Sequence, residues 1–154
     1  MSFSSDLKQE LLGLQTEKPC CLLAESYGLM LFGKSFSRDE ISLTTENAAV
    51  AERYRYVAGR LCRSAPKSEK ISAKKYRVSV ETPEDRLCVL SAFGYDGKER
   101  TRRMNWGNIT DDCCIGAFLR GAFLTCGTVT APEKNYHLEF VVPHYNLSLD
   151  LKKF

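Results

Sequence analysis

A degenerate internal repeat of two stretches rich in small residues constrains this chain most strongly. The first stretch is CCLLAESYGLMLFGKSF at residues 20–36, and the second is CCIGAFLRGAFLTCGTV at residues 113–129. In the second stretch, small residues recur three and four positions apart, which on a helix places them in one stripe where another backbone can approach closely. The matching residues of the first stretch predict a pseudo-twofold pair of helices packed face to face. The predicted packing residues are Cys21, Ala24, Gly28, Cys114, Ala117 and Gly121.

The elements around these two stretches are predicted to repeat in the order helix, strand, strand, helix. In the first half, Pro19 lies in the first turn of a helix, and short strands follow at 34–37 and 40–45. Asn47 then caps the next helix. In the second half, two strands follow the repeat helix, and Asn146 begins a helix in the position that Asn47 holds in the first half.

The repeat divides the chain into two halves. We expect residues 1–93 to form the first half with an extra N-terminal helix, and residues 94–110 to form a linker rich in turn residues and charge. Residues 111–154 are expected to form the second half, with Asp111 or Thr110 capping its helix. Because this second copy stops in mid-helix, we expect it to be truncated.

Two stretches of the first half differ in their expected structure. Residues 64–75, SAPKSEKISAKK, have the Pro, Ser and Lys content of an exposed connection. Residues 75–81, KYRVSVE, alternate between apolar and polar side chains. This alternation predicts a strand with one buried face and one cationic face.

Several stretches resemble known families. FLRGAFLTCGTV at 118–129 resembles the helix-then-strand motif of the LAGLIDADG homing endonuclease fold. More specifically, four stretches resemble the WhiA family of bacterial regulators of sporulation and cell division. They are SFSSDLKQELL at 2–12, KPCCLLAESYGL at 18–29, EISLTTENAAVAERY at 40–54 and the run from DDCC through FLRGAFLTCGTVTAPEKNYHLEF at 111–140.

The resemblance implies an α/β fold of pseudo-twofold αββα repeats, with paired central helices over a curved antiparallel sheet. It also implies a cytoplasmic, nucleoid-associated transcriptional regulator whose C-terminal helix-turn-helix domain is absent here. In such a protein the missing domain carries much of the promoter recognition, while this domain supplies DNA backbone contacts, regulation or partner binding. The implied partner is DNA, with transcription or division proteins as further partners.

Both repeat stretches lack the acidic residues of the nuclease motif when they are aligned with it. Active enzymes of this fold bind divalent metal through an acidic residue at the end of each repeat helix, because hard cations need oxygen ligands. The two acidic positions fall on Leu124 and Cys126 in the second motif, and on Leu31 and Gly33 in the first. None of the four ligates magnesium. The resemblance therefore implies a scaffold that is not an enzyme, with no catalytic residue, metal or cofactor.

Seven cysteines are present, and four of them form adjacent pairs within the predicted helices. Neighbouring side chains on one helix diverge by about 100° and do not readily share a metal or a disulfide. Zinc sites usually show a Cys-x-x-Cys spacing, which is missing here. We therefore expect reduced, buried cysteines that act as small hydrophobic residues. The positions are 20, 21, 62, 88, 113, 114 and 126.

Length and hydropathy favour one domain with a packed core. The chain has 154 residues, of which 44% are hydrophobic. It has no run of 18 apolar residues and no cationic start followed by an apolar segment, so neither a membrane span nor a secretory signal is predicted. We expect a soluble, intracellular protein.

The positive charge is unevenly distributed, although the formal net charge is only +3. Residues 53–77 carry +8 and residues 98–103 carry +3, so the remainder carries −8. This asymmetry favours a polyanionic partner. Cations on or beside the predicted strands are expected to contact DNA phosphates, since Lys and Arg position proteins on the nucleic acid backbone. These are Lys34, Arg38, Lys74, Lys75, Arg77, Arg100, Arg102, Arg103 and Lys134.

Other functional classes stay open. A protein-interaction module that has lost both cleavage and DNA binding would not bind a generic duplex at low salt. A ligand-sensing domain is a further alternative, although the chain has no recognisable pocket motif. An active nuclease would nick plasmid DNA in the presence of magnesium, which we do not expect.

Overall fold

The computed structural model describes residues 3–13, 18–98, 103–129, 138–142 and 145–152. Within these ranges the helices are α1 (Phe3–Leu12), α2 (Pro19–Leu31), α3 (Ala48–Leu61), α4 (Pro83–Ala92), α5 (Asp112–Cys126) and α6 (Tyr145–Leu151). The strands are β1 (Ser35–Phe36), β2 (Ile41–Thr45), β3 (Lys67–Lys70), β4 (Tyr76–Ser79), β5 (Gly127–Val129) and β6 (Leu138–Phe140), and a 3-10 helix spans Trp106–Asn108. None of the described helices is both long and apolar enough to cross a bilayer.

The strands form two antiparallel sheets beside the helices. The larger sheet has the order β1-β2-β4-β3, and β5 pairs with β6 in a second ladder. Alternate side chains of the larger sheet, including Ile41, Leu43 and Val78, join the buried core. The helices α2, α3 and α5 supply most of the remaining core residues. The structure therefore confirms the predicted α/β class with helices over an antiparallel sheet.

The predicted helix, strand, strand, helix order occurs twice. It appears as α2-β1-β2-α3 and again as α5-β5-β6-α6. Asn47 caps α3 as predicted, since its side chain accepts hydrogen bonds from the backbone N–H groups of Ala49 (3.0 Å) and Val50 (3.2 Å). The predicted side-chain cap of α5 is wrong for Asp111, which occupies the cap position without such a bond.

The expectation of an irregular connection at residues 64–75 is also wrong. Part of it forms β3, which pairs with β4 in the register Lys67↔Ser79 to Lys70↔Tyr76. This strand lies at the edge of the sheet and its side chains are largely exposed. An edge strand that buries neither face has no need of alternating apolar residues, so its sequence lacks the usual strand pattern.

The described part of the predicted linker packs against the first half. The Tyr27 hydroxyl accepts a hydrogen bond from the backbone N–H of Asn105 at 2.6 Å. The side-chain amides of Asn105 and Asn108 both donate to the carbonyl of Phe93 at 2.8 Å. Met104 and Asn108 are buried. These contacts hold the segment before α5 against the end of α4 and the middle of α2.

Candidate nucleic-acid interface and the helix pair

The helices α2 and α5 cross with their backbones in contact. A Cβ atom added at Gly28 would lie 2.9 Å from the amide nitrogen of Ala122 and closer still to the carbonyl oxygen of Phe118. A Cβ atom at Gly121 would lie 2.9 Å from the amide nitrogen of Leu29 and closer still to the carbonyl oxygen of Glu25. Only glycine fits such an approach. The crossing is therefore pseudo-symmetric, with one glycine from each repeat.

The other predicted packing residues lie along the same contact. Ala24 and Cys114 are fully buried, and Ala117 is nearly so. Cys21 lies at the start of α2, where its thiol is 3.6 Å from the carbonyl oxygen of Cys113. The Thr125 hydroxyl donates to the carbonyl of Leu29 at 2.7 Å near the other end. The two helices therefore run in the same direction, with their starts together and their ends together.

The ends of the pair hold no oxygen ligands at the positions where a nuclease would carry its acids. Leu31 and Leu124 are buried in the core. A Cβ atom at Gly33 would lie 2.8 Å from the carbonyl oxygen of Ser42, so this position has no space for a side chain. Cys126 is half-buried, and burial raises the pKa of its thiol to about 12. It is therefore a neutral thiol near pH 7.

The helix α1 packs beside this end of α5. It contacts α5, β5 and α3. The Lys8 ammonium lies 5.5 Å from the centroid of the Phe123 ring, and burial lowers the pKa of this lysine. A positive charge at this point disfavours binding of a divalent cation.

A buried carboxylate links the helix pair to α3. Glu25 is 2% exposed and pairs with Arg53 on α3 at 2.8 Å and with Arg120 on α5 at 3.1 Å. The three residues are distant in sequence, so no local motif indicates this arrangement. Glu25 lies in the middle of α2, well before the helix end, and guanidinium groups bind both of its carboxylate oxygens.

The face of the larger sheet opposite the hydrophobic core carries both signs of charge. Arg77 lies on this face and pairs with Glu40 at 2.9 Å and with Glu69 at 3.8 Å. Lys67 lies near Glu69 (3.8 Å) and Glu81 (4.0 Å). A hydrogen bond from the Ser35 hydroxyl, together with Arg77 and Lys34, lowers the pKa of Glu40 and keeps it ionised. The middle of the face is therefore internally neutralised.

The predicted cations Lys34, Arg38, Lys74 and Lys75 lie around this neutralised centre. All four are exposed, and none belongs to an ion pair among the described residues. Lys74 and Lys75 lie in the turn between β3 and β4, and Arg38 lies in the turn between β1 and β2. The antiparallel register places these two turns at opposite ends of the sheet, about 20 Å apart along the strands.

The remaining predicted cations are arranged differently. Arg103 forms a bidentate pair with Asp150 of α6, at 2.8 and 2.6 Å. Asp150 is 1% exposed and also accepts from the backbone N–H of Met104 at 3.0 Å. Arg103 therefore links the segment before α5 to α6. The predicted phosphate contacts at Arg100, Arg102 and Lys134 lie outside the described residues.

Comparison with known proteins agrees with this geometry. The model of the WhiA LAGLIDADG-like domain matches residues 115–154. The probable cell division protein WhiA of Alkaliphilus metalliredigens is 33% identical over 171 residues, covering 99% of this chain and 53% of that protein. The protein of the same name from Anoxybacillus flavithermus is 35% identical over 152 residues, covering 90% of this chain and 46% of that protein.

The chain belongs to the WhiA family. It spans about half the length of the curated WhiA relatives that it matches. Full-length DUF199/WhiA from Thermatoga maritima superposes with a TM-score of 0.61 at 22% identity, covering 91% of this chain and 44% of that chain. The N-terminal LAGLIDADG domain of DUF199/WhiA superposes with a TM-score of 0.60 at 21% identity, covering 92% and 66% of the two chains. These structures confirm the LAGLIDADG-like fold.

One group of side chains in this WhiA domain contradicts the sequence-based expectation. The cysteines 20, 21, 113 and 114 do not diverge into separate environments, because their four sulfur atoms lie within 4.8 Å of one another. The expectation failed because it considered each helix alone. The small residues bring the two helices close enough for all four thiols to meet. The repeat itself was the signal, since it aligns both pairs at the same end of paired helices.

Proposed function

We propose that this domain is a non-catalytic, DNA-contacting part of a WhiA-family regulator. The observation that carries the proposal is the end of the helix pair, where Leu31, Leu124, Gly33 and Cys126 offer no oxygen ligand. Phosphodiester hydrolysis by a divalent metal needs carboxylates at this point to hold the cation. The small-residue crossing that the fold requires is present, while the ligands that cleavage requires are replaced.

The metal-binding geometry at the other end of the helix pair also supports a non-catalytic function. Among the described residues, the one group of three or more His, Cys, Asp or Glu side chains placed to share a metal consists of four cysteines. Thiolates are poor ligands for magnesium, which prefers oxygen. The cysteines lie at the starts of α2 and α5, at the opposite end of the helix pair from the cleavage positions.

DNA contact is supported by the distribution of exposed cations. Lys74 and Lys75 extend beyond one end of the sheet, and Arg38 extends beyond the other. Their spacing of about 20 Å along the strands is comparable with the width of a DNA duplex. Because Arg77 already has two glutamate partners, we assign the main phosphate contacts to the turns and a smaller contribution to Arg77.

The double variant Lys74→Ala, Lys75→Ala is expected to weaken duplex binding in a salt-dependent manner. Each lost phosphate contact flattens the slope of log affinity against log salt by roughly 0.9, so two contacts remove about 1.8. Fluorescence anisotropy of a labelled generic duplex, titrated at a series of salt concentrations, measures this slope.

A charge-matched control separates specific contact from net charge. Arg55→Ala, Arg60→Ala also removes two cations, but from α3, which packs on the buried face of the sheet. This variant is expected to retain most of the wild-type slope. Equal slopes for the lysine variant and the wild type would show that the turn between β3 and β4 does not contact the duplex.

The rival function is a protein-interaction module, and a groove on the helical side of the molecule favours it. The groove has a volume of about 240 Å³ and lies between α2 and α3, with Leu22, Leu23, Val57 and Leu61 among its lining residues. An interaction module would leave a generic duplex unbound even at low salt. The anisotropy experiment above therefore distinguishes the two functions.

The names of the relatives support a proposal for the whole protein. Proteins named probable cell division protein WhiA match along the length of this chain. We propose that the intact protein regulates transcription in sporulation or cell division, and that it resides in the cytoplasm on the nucleoid. A DNA-binding helix-turn-helix domain would then provide base recognition, while this domain adds backbone contacts.

A further inference from the structure

Four cysteines meet where the paired helices begin. Cys20 and Cys21 lie in the first turn of α2, and Cys113 and Cys114 lie in the first turn of α5. Their sulfur atoms all lie within 4.8 Å of one another, and none is in a disulfide. Two neighbouring cysteines from each of two symmetry-related helices therefore surround one point.

The separation of the sulfur atoms suits a tetrahedral metal. With Zn–S bonds of about 2.3 Å, the sulfurs of a tetrahedral tetrathiolate lie about 3.8 Å apart. A modest inward movement of the side chains converts the present cluster to that geometry. The Cys21 thiol is already 3.6 Å from the carbonyl oxygen of Cys113, which shows how closely the two helix starts approach.

The cluster is open to solvent on one side and lies at two helix N-termini. Cys114 is buried and Cys20 and Cys21 are half-buried, while Cys113 is exposed and leaves a route from solvent. Both pairs lie at helix N-termini, where the helix dipole stabilises negative charge. In α5 the backbone N–H of Cys114 donates to the carbonyl of Asp111 at 2.9 Å.

Without a cation the four thiols constrain one another. Several thiolates this close together would repel one another, which limits how many can be ionised without a cation. A divalent cation removes that limit by neutralising the charge.

We propose that Cys20, Cys21, Cys113 and Cys114 bind one zinc ion as a closed tetrathiolate site that joins the starts of α2 and α5. Four sulfur ligands with no open position describe a structural site, and tetrahedral S₄ coordination selects zinc or an iron–sulfur centre over magnesium or calcium. Binding replaces four S–H protons with four Zn–S bonds and changes no oxidation state. The site is independent of the DNA-contact proposal.

The test uses the whole chain, purified under reducing conditions without chelator. Elemental analysis is expected to find one zinc per chain. After replacement of zinc by Co²⁺, we expect the intense d–d absorption and sulfur-to-cobalt charge transfer of a tetrahedral tetrathiolate. Removal of the metal by a chelator is expected to lower Tm, and zinc to restore it, because ligands that bind the folded state stabilise it.

Two variants locate the site. Cys20→Ser, Cys114→Ser is expected to abolish the tetrathiolate spectrum, whereas Cys62→Ser, Cys88→Ser removes two cysteines outside the cluster and is expected to preserve it. Retention of the spectrum in the first variant overturns the assignment. So does a wild-type chain without zinc in which the four cluster thiols are free or form an interhelical disulfide, or a wild-type chain that holds iron in place of zinc. These wild-type outcomes do not depend on the folding of any variant.

Discussion

Gly121→Ala is expected to reduce the free energy of unfolding by about 3 kcal/mol or more, measured by urea denaturation. The added methyl group would approach the backbone of Glu25 and Leu29 in α2, and backbone atoms at a helix crossing cannot move aside as a flexible side chain can. The helices would have to separate, which removes core contacts along their whole length. Gly28→Ala is expected to have a similar effect from the other side of the crossing.

Gly116→Ala is the matched control, because it makes the same change in the same helix at an open position. A Cβ atom there meets no heavy atom within 4 Å. Alanine is the better helix former, so this variant is expected to gain about 0.5–1 kcal/mol. If Gly121→Ala and Gly116→Ala shifted stability equally, α2 and α5 would not be in backbone contact.

Glu25→Ala is expected to reduce the free energy of unfolding by about 3 kcal/mol. The substitution leaves the guanidinium groups of Arg53 and Arg120 facing each other without their shared carboxylate. Both arginines are mostly buried, so water replaces the lost bonds only in part. The expected loss of unfolding free energy is therefore at the lower end of the range for a broken buried ion pair.

Glu52→Ala provides the comparison for Glu25, since it removes the same side chain from an exposed pair. Glu52 interacts with Arg55 on the outer surface of α3 and is 63% exposed. Its loss is expected to change stability by less than about 1 kcal/mol. Comparable losses in the two variants would mean that the buried network does not link α2, α3 and α5.

The internal repeat made the architecture predictable from sequence. The spacing of small residues within one stretch is enough to predict a helix with a packing stripe. The matching stretch 93 residues away predicted the partner helix. β3 was missed because an exposed edge strand carries no apolar alternation. The cap position of α5 was predicted correctly at Asp111, but the capping bond does not form, because residue type does not fix the side-chain rotamer that such a bond needs.

The candidate site was less predictable, because charge along a sequence does not reveal pairing in space. Arg77 and Arg103 looked like free cations, but their partners Glu40 and Asp150 lie 37 and 47 residues away. Glu25 gave no signal for the same reason, since its arginines are 28 and 95 residues away. The absence of the nuclease acids could be predicted, because it depends only on which residues occupy single positions of a motif.

One assay addresses the central claim that a cleavage fold has kept its paired helices and become a binding domain. Supercoiled plasmid is incubated with the chain at low salt, with and without magnesium, and resolved on an agarose gel. We expect retarded plasmid that stays supercoiled in both conditions. Magnesium-dependent nicking would contradict the absence of a catalytic site, and plasmid that migrates unretarded would contradict DNA contact.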